Sequence, residues 1–530
     1  MCQSMPHVKT SIDHLMKSYS LGSRCRWIVK SFIMIILASS GIPDAKSAQP
    51  NIILILVDDL RHDVFSFNGH PFIETPHIDS LVQNGTLFRN AFVTTSLCSP
   101  SRASFLTGRY MHNHKVVNNV EPMPEGTVTF PKLLKDAGYE TGFIGKWHMG
   151  GSSDEPRKGF SHWVSFRGQG TYQPDNQTLN VNGTRVNRTK YMTDELTDYA
   201  VNWLREQSEE KPFLLYLSHK GVHGLYEPAE RHRDLYQNKR TAIPPDPHSA
   251  SQANEGKPMW VQDQRNSWHG VEFPYYGRSK QSVAEMYQHY CEMILSIDES
   301  LGVLMQELRR KKMETNTLVI FTSDGGHLWG EHGLIDKRCA YEESIRIPLI
   351  AYGPGIVAKG EVSDAMIANI DVAPTLLGLA NLSIPDWMDG KSFRELLSEP
   401  INQHKERASL LYEYYWEPQY PQTPTTFCLR NQRFKFIQYH GIWDTDELYD
   451  LEKDPEESVN LINHEKYKGT VKAMRLELHQ KLKESNGLSI SLGFKRDHGA
   501  NQRNAKGSKR ASFPKNILKS FPEQPSSSND

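Results

Sequence analysis

The sequence predicts an α/β fold: a large mixed, mainly parallel sheet flanked by helices, with a smaller antiparallel-sheet subdomain at the C-terminal end. Three observations carry this. Residues 51–57, 211–217 and 317–322 are nearly unbroken apolar runs of strand length, rich in Ile, Leu, Val and Phe. A strand without polar alternation is buried on both faces, as in a parallel sheet covered by helices. Each run delivers polar residues at its end, namely Asp58-Asp59, Ser218-His219-Lys220-Gly221-Val222-His223 and Ser323-Asp324-Gly325-Gly326. Open α/β sheets hold their ligands at such carboxyl ends. From about residue 408 the pattern changes to short aromatic segments, which suits a small antiparallel sheet.

Residues 1–47 read as an export signal. Lys17, Arg24, Arg26 and Lys30 precede an apolar run at 32–38 too short to cross a bilayer as a helix, and Ala45-Lys46-Ser47 fits a small-residue cleavage site. The main domain is expected over 48–405. Within it, 192–207 places Ala200, Val201 and Leu204 on one helical face, and 282–309 reads as a second helix leading into the 317 strand. Residues 227–277, rich in Pro, Gln, Asn, His and Trp, read as a long irregular insertion of the kind that shapes a substrate site. The subdomain is expected over 406–493, with strands at 409–415, 427–429, 434–439 and 447–449 and a closing helix at 467–482. Residues 494–530, with eight Lys/Arg against three acids, read as a basic, solvated, mobile tail.

Composition narrows the classes. At 530 residues, with 38 % hydrophobic and 23 % charged residues, the chain is neither disordered nor collagen-like. Lys+Arg 61 against Asp+Glu 62 gives a net charge of −1, so bulk charge gives no reason to expect nucleic acid or a membrane surface as partner. One short apolar run leaves no stable membrane span. Cys98, Cys291, Cys339 and Cys428 lie beyond the export signal, and the sequence leaves their pairing open.

The first chemical feature is acidic. Asp58 and Asp59 at one strand end and Asp324 at another would meet at one sheet edge. Three carboxylates share a small volume only when protonated or neutralised by a cation. Hard oxygen ligands favour Ca2+ or Mg2+. The second feature is Cys98-Ser99-Pro100-Ser101-Arg102-Ala103-Ser104-Phe105-Leu106-Thr107-Gly108. This segment resembles the signature C-x-P-S-R-x-x-x-L-T-G of the sulfatase family of the alkaline-phosphatase superfamily, with every fixed position matched. A second family motif is matched by Gly138-Tyr139-Glu140-Thr141-Gly142-Phe143-Ile144-Gly145-Lys146-Trp147-His148. The resemblance runs from Asn51 to about Leu461.

It implies a type I, formylglycine-dependent sulfatase. The C-terminal pattern, Tyr412-Glu413-Tyr414-Tyr415-Trp416-Glu417 followed by Phe434-Lys435-Phe436, is similar to exported bacterial N-acetylglucosamine-6-sulfatase-like enzymes. In that family the residue matching Cys98 is oxidised to formylglycine (3-oxoalanine) by a formylglycine-generating enzyme or an anaerobic maturase. The hydrated aldehyde offers two hydroxyls on one carbon. One attacks sulfur and expels the alcohol, and deprotonating the other collapses the adduct and releases sulfate, an exit that a serine lacks. The family's metal carboxylates match Asp58, Asp59 and Asp324, with residue 98 also touching the ion. Arg102, four residues after Cys98, would share its helix face and steady the hydrate. Lys146 and Lys337 match the lysines that clamp sulfate oxygens. His148 matches the histidine beside the formylglycine hydroxyls and His223 the one that protonates the leaving oxygen, with His219 as a nearby alternative.

One departure stands out. The family usually has Asn or His after the third metal aspartate, whereas this chain has Gly325, so a water or His327 is expected to replace that ligand. The implied reaction is hydrolysis of a sulfate ester on a sulfated carbohydrate, by an exported protein that is periplasmic, secreted or on the outer surface. His440 and the C-terminal aromatics are candidates for the pocket, the aromatics serving equally well as the core of the small sheet. Arg167, Gln169, Tyr172, His112 and His114 are further candidates for its rim. A phosphate mono- or diesterase of the same superfamily and a non-catalytic glycan-binding relative are the alternative readings.

Overall fold

Strand β1 (Asn51–Val57) is the axis of the large sheet, and all seven of its residues are buried. It therefore needs a partner on each edge and cover on each face. The computed structural model describes residues 49–150, 153–175, 177–239, 256–264, 270, 282–399, 407–441 and 444–490, with the strand pair 503–504 and 507–508. The expected export signal, most of the 227–277 insertion and nearly all of the tail lie outside the described residues.

β7 (Phe213–Ser218) runs parallel to β1 on one side and β8 (Thr317–Ser323) on the other, with Ile52 opposite Leu214 and Leu318. Beyond β7 come β3 (Glu140–Gly145) and β4 (His162–Ser165), both parallel, then the antiparallel hairpin of β5 (Thr178–Val181) and β6 (Thr184–Asn187). Beyond β8, β10 (Leu349–Tyr352) pairs antiparallel with β8 and with β2 (Thr86–Phe92). β11 (Glu361–Ala368) then pairs parallel with β2, and the two-residue β9 (Arg346–Ile347) pairs antiparallel with it. The 11-stranded sheet has the order β11-β2-β10-β8-β1-β7-β3-β4-β5-β6, with β9 attached to β2. This is the mixed, mainly parallel sheet that the apolar runs predict.

The period-two alternation of β1 feeds two cores. Ile52, Leu54 and Leu56 pack with Phe105 and Leu106 of α2 (Cys98–Thr107) and Leu376 of α5 (Val372–Leu379). Ile53, Ile55 and Val57 pack with Ile78 of α1 (Pro76–Asn84), Leu196 of α3 (Met192–Glu206) and Ile294 of α4 (Val283–Arg310). α4 starts where its cap says it should: Ser282 and Glu285 bond each other's backbone N–H as a capping box.

The C-terminal sheet is antiparallel, in the order β12 (Ser409–Tyr414), β13 (Thr425–Asn431), β14 (Phe434–His440), β15 (Glu447–Asp450). α6 (Lys468–Glu484) turns Val471, Met474, Leu478 and Leu482 inward. Tyr412, Tyr414, Tyr415 and Tyr449 are fully buried and belong to the hydrophobic core, the second of the two roles open to these aromatics. His440 ends its strand exposed.

The seam between this sheet and the main domain is polar and buried. Lys435 Nζ lies 2.9 Å from Glu342 and 2.8 Å from Glu457. His332, Glu343 and Glu457 cluster beside them, but Glu457 is already engaged by Lys435 and by the Glu342 N–H at 2.7 Å. His112 is part of this seam. Its Nδ1 is 2.9 Å from Glu413 Oε1 and its Nε2 is 2.8 Å from the Ser485 carbonyl. Both ring nitrogens face acceptors, so burial, which disfavours the cation, is outweighed by Glu413 and the His112 value is raised. His114, by contrast, is pulled down by burial to about 3, beside Ser104. Neither reaches a pocket rim, because both are consumed in packing.

His112→Ala should therefore lower stability by about 3 kcal/mol, because Glu413 stays buried without its cation. The sign with pH follows from a raised histidine. The pair contributes fully below the ordinary value of 6.5 and loses its contribution as pH climbs through the raised one. Urea midpoints across pH 6 to 9 should show that decline in the wild type and not in His112→Ala. Parallel curves would refute the assignment.

Candidate active site

The site forms where β1, β7, β8 and β3 end side by side. The chain after β1 is held in place by main-chain bonds, Asp324 N–H to Val57 O at 3.0 Å, Asp58 N–H to Gly221 O at 2.8 Å and Val222 N–H to Asp58 O at 2.8 Å. β3 ends in Gly145, at φ +123°, where a Cβ would stand 1.8 Å from the Ser218 carbonyl oxygen. Only glycine permits that approach, and it lets Lys146 N–H bond the same oxygen at 2.8 Å. Asp59 and His148 both take left-handed φ, 59° and 57°. For residues with a Cβ this strain is expected where side-chain aim is overdetermined by the surroundings.

The ligand atoms of Asp58, Asp59 and Asp324 lie within 4.8 Å of one another. Burial pushes the Asp58 carboxyl up, but Lys146, His223, Arg102 and Lys337 together hold it well below the usual range. Asp324 is pushed up to about 8 by burial and by the charge of Asp58. The three converging carboxylates form an all-oxygen set, which fits Ca2+ or Mg2+. Around it, Lys146 Nζ pairs with Asp58 and reaches Gln169 Oε1 at 2.5 Å. Lys337 Nζ pairs with Asp59 and approaches Cys98 Sγ at 3.0 Å. Arg102 donates from Nε to Asp324 at 2.7 Å, and from its NH1 nitrogen to the Lys146 carbonyl at 2.8 Å and Ser218 Oγ at 2.6 Å. Its guanidinium thus braces the carboxylates from below.

Cys98 is the first residue of α2 and 1 % exposed. Its Sγ is 3.4 Å from Asp58 Oδ1, and burial together with Asp58 pushes the thiol well above its ordinary value. As a thiol it is a protonated, inert group. It stands where the oxygens of an oxidised residue 98 would face Lys337 and the carboxylates. His223 Nε2 is 3.7 Å from Asp59 Oδ2. Burial pulls His223 down to about 3 and also lowers His148. Ser99 Oγ bonds the His148 carbonyl, tying the motif after β3 to the start of α2.

Not every candidate arrives here. His219 points to the other face of the sheet, with Nε2 3.2 Å from Ser300 Oγ of α4, so it is no substitute for His223. His327 is turned away from the carboxylates, its Nε2 3.2 Å from the Tyr226 hydroxyl and its ring against Trp329. It does not replace the ligand missing at Gly325. A Cβ at Gly325 would stand 3.2 Å from Ser96 Oγ, so Ser96 borders the space that a longer residue would fill. Arg167 lies outside, 3.6 Å from Asp154. Tyr172 is fully buried and supports the site from behind. The residues missed from the sequence are Ser96, Ser218 and Lys220. Ser218, the last residue of β7, and Lys220 stand in the polar run that closes that strand, where position was the only available signal.

A family model described as Sulfatase matches residues 50–382, and one described as N-sulphoglucosamine sulphohydrolase, C-terminal, matches 330–484. An N-acetylglucosamine-6-O-sulfatase of Bacteroides thetaiotaomicron is 31 % identical over 507 residues, 85 % of this chain and 88 % of its own. The N-acetylglucosamine-6-sulfatase of Homo sapiens is 30 % identical over 72 % of this chain and 70 % of its own. A solved structure described as a complex with its substrate D-glucosamine-2-N,6-O-disulfate superposes with a TM-score of 0.76 at 28 % identity, covering 83 % of this chain and 99 % of that one.

Proposed function

The chain belongs to the sulfatase family and is a sulfuric ester hydrolase, and from that premise we propose that it removes the 6-O-sulfate of N-acetylglucosamine or a related glucosamine in a sulfated glycan. The observation that carries the chemistry is the convergence of Cys98 with Asp58 and Lys337 within 3.4 Å. The substrate class rests on similarity to N-acetylglucosamine-6-sulfatases along most of both chains.

Asp58, Asp59 and Asp324 would hold the divalent ion, Ca2+ by preference, which supplies positive charge against the carboxylates and the sulfate oxygens. Oxidised residue 98 supplies a hydrated aldehyde, a nucleophile with a second hydroxyl through which the sulfated adduct can be resolved. Lys146 and Lys337 exchange their carboxylate partners for sulfate oxygens and stabilise the charge that builds there. His223, neutral in the empty site, gains a proton when a sulfate ester brings negative charge beside it, and gives that proton to the leaving sugar oxygen. His148 takes the proton of the second hydroxyl. Arg102 keeps Asp324 and the Lys146 carbonyl fixed throughout.

Export is part of this reading. Residues 1–47 have the pattern of a signal, and among the described residues no helix is long and apolar enough to cross a membrane. A formylglycine-generating enzyme or anaerobic maturase would act on Cys98. The test is peptide mass spectrometry of residue 98 in protein made with such an enzyme, paired with sulfate release from N-acetylglucosamine 6-sulfate in calcium buffer. Aldehyde with release supports the proposal. Aldehyde without release from any sulfated sugar defeats it.

A further inference from the structure

The cations described above already have carboxylate partners: Lys146 has Asp58, Lys337 has Asp59 and Arg102 has Asp324. Lys220 does not. It is 2 % exposed, and among the described residues its Nζ has neither a hydrogen-bond nor an ion-pair partner. Its Nζ lies over the face of Tyr172, with the ring centroid 4.0 Å away. A cation held on an aromatic face keeps part of its stabilisation without surrendering its hydrogen-bond donors. The same ring fixes the loop that carries His223, because the Tyr172 hydroxyl donates to the His223 carbonyl at 2.5 Å.

A buried ammonium without a counter-ion is costly, so a fold that keeps one has a partner for it in some functional state. Lys220 lies within electrostatic reach of Lys146, Asp58, Glu227 and Cys98; burial and repulsion from Lys146 lower it to about 7, against the pull of Asp58 and Glu227. The main chain beside Lys220 is bonded to Asp58, whose N–H donates to the Gly221 carbonyl at 2.8 Å, so this lysine stands beside the Asp58–Cys98 cluster, where a sulfate ester would sit.

We propose that Lys220 is a substrate-binding residue, a third lysine beside Lys146 and Lys337, whose ammonium takes an oxygen of the scissile sulfate. This rests on the sulfatase reading of the site. The chemistry fits. Lys146 and Lys337 must leave carboxylates to reach the sulfate, whereas Lys220 gives up only a ring face, and its position on Tyr172 couples sulfate capture to the loop of the proposed acid, His223.

The experiment uses the full chain made with a formylglycine-generating enzyme. Aldehyde content at residue 98 and wild-type turnover of N-acetylglucosamine 6-sulfate are measured first, so that failure there counts against the sulfatase reading and not against Lys220. Lys220→Met should raise KM and weaken competitive inhibition by inorganic sulfate by about tenfold or more, the worth of a charge-assisted hydrogen bond, with kcat changed far less. Lys220→Arg should recover part of both. In sulfate-free buffer Lys220→Met should melt no lower than wild type, since it sheds an unpaired buried charge, and inorganic sulfate should no longer raise its Tm. Unchanged KM and sulfate inhibition would overturn the proposal, and so would a lowered Tm with sulfate binding intact. If the Met variant does not fold, Lys220→Gln gives the same reading.

Discussion

Cys98→Ala should abolish sulfate release, with a loss of at least about 10^4-fold in kcat, the scale seen when a covalent nucleophile is removed from a unit that acts together. The fold should survive. Alanine deletes one buried sulfur at the start of α2, whose contacts are Asp58 Oδ1 at 3.4 Å and Lys337 Nζ at 3.0 Å, and Asp58 and Lys337 keep other partners. The paired variant Cys98→Ser separates attack from resolution. A serine can attack sulfur but offers no second hydroxyl on the same carbon, so sulfate should be transferred to it at most stoichiometrically. Timed sulfate detection with intact-protein mass spectrometry checks both. Turnover above 1 % of wild type in Cys98→Ala would show that residue 98 is not the nucleophile.

Asp324→Asn should cost activity about 10^3-fold and stability about 3 kcal/mol in the same protein. The two losses have different origins. Activity falls because one of three converging oxygen ligands is weakened, and near 1.4 kcal/mol per tenfold the deficit is about 4 kcal/mol of transition-state stabilisation. With a divalent ion bound, which keeps Asp324 ionised, stability falls because Arg102, 1 % exposed and bonded to Asp324 at 2.7 Å, keeps its charge after its partner has become neutral. Scanning calorimetry with and without calcium tells them apart. Calcium at about 100 times its Kd should stabilise the wild type by about 2.7 kcal/mol and the variant much less. An equal calcium shift in both proteins would remove Asp324 from the ion site. Calcium without effect on either would turn attention to magnesium.

What the sequence disclosed and what it hid divide along physical lines. β1, β7 and β8 are legible because doubly buried parallel strands are apolar along most of their length, with polar residues at their ends, and α4 because its cap and its 3.6-residue period agree. β9 and β10 are not legible. They are short, and nothing local says that they pass between or beside β2 and β8 in the opposite sense. The carboxylates and Cys98 stand in dense local motifs and can be read directly. His112 misleads, since its partner Glu413 lies 301 residues away and no local pattern distinguishes a seam histidine from a pocket one. The tyrosines of β12 were ambiguous for a related reason, because a ring that stacks on a sugar and a ring that fills a core have the same side chain. Lys220 shows the limit most plainly. Its lack of a counter-ion is a property of the assembled surroundings, and in sequence it is one lysine in a polar turn.

The distance along the chain from Cys98 to Lys337 sets a clock. These residues touch only when β8 and the segment beyond it have joined β1, 239 positions after Cys98. On a ribosome adding about 5 to 20 residues per second, that interval lasts roughly 10 to 50 s. Once it closes, residue 98 is 1 % exposed inside a helix, beyond the reach of another protein's active site. On the proposed function, the oxidation of residue 98 would therefore take place before the chain has folded. Protein that finishes folding with its thiol intact should resist later conversion unless it is unfolded again, so the active fraction of a preparation is fixed by a race between synthesis and modification.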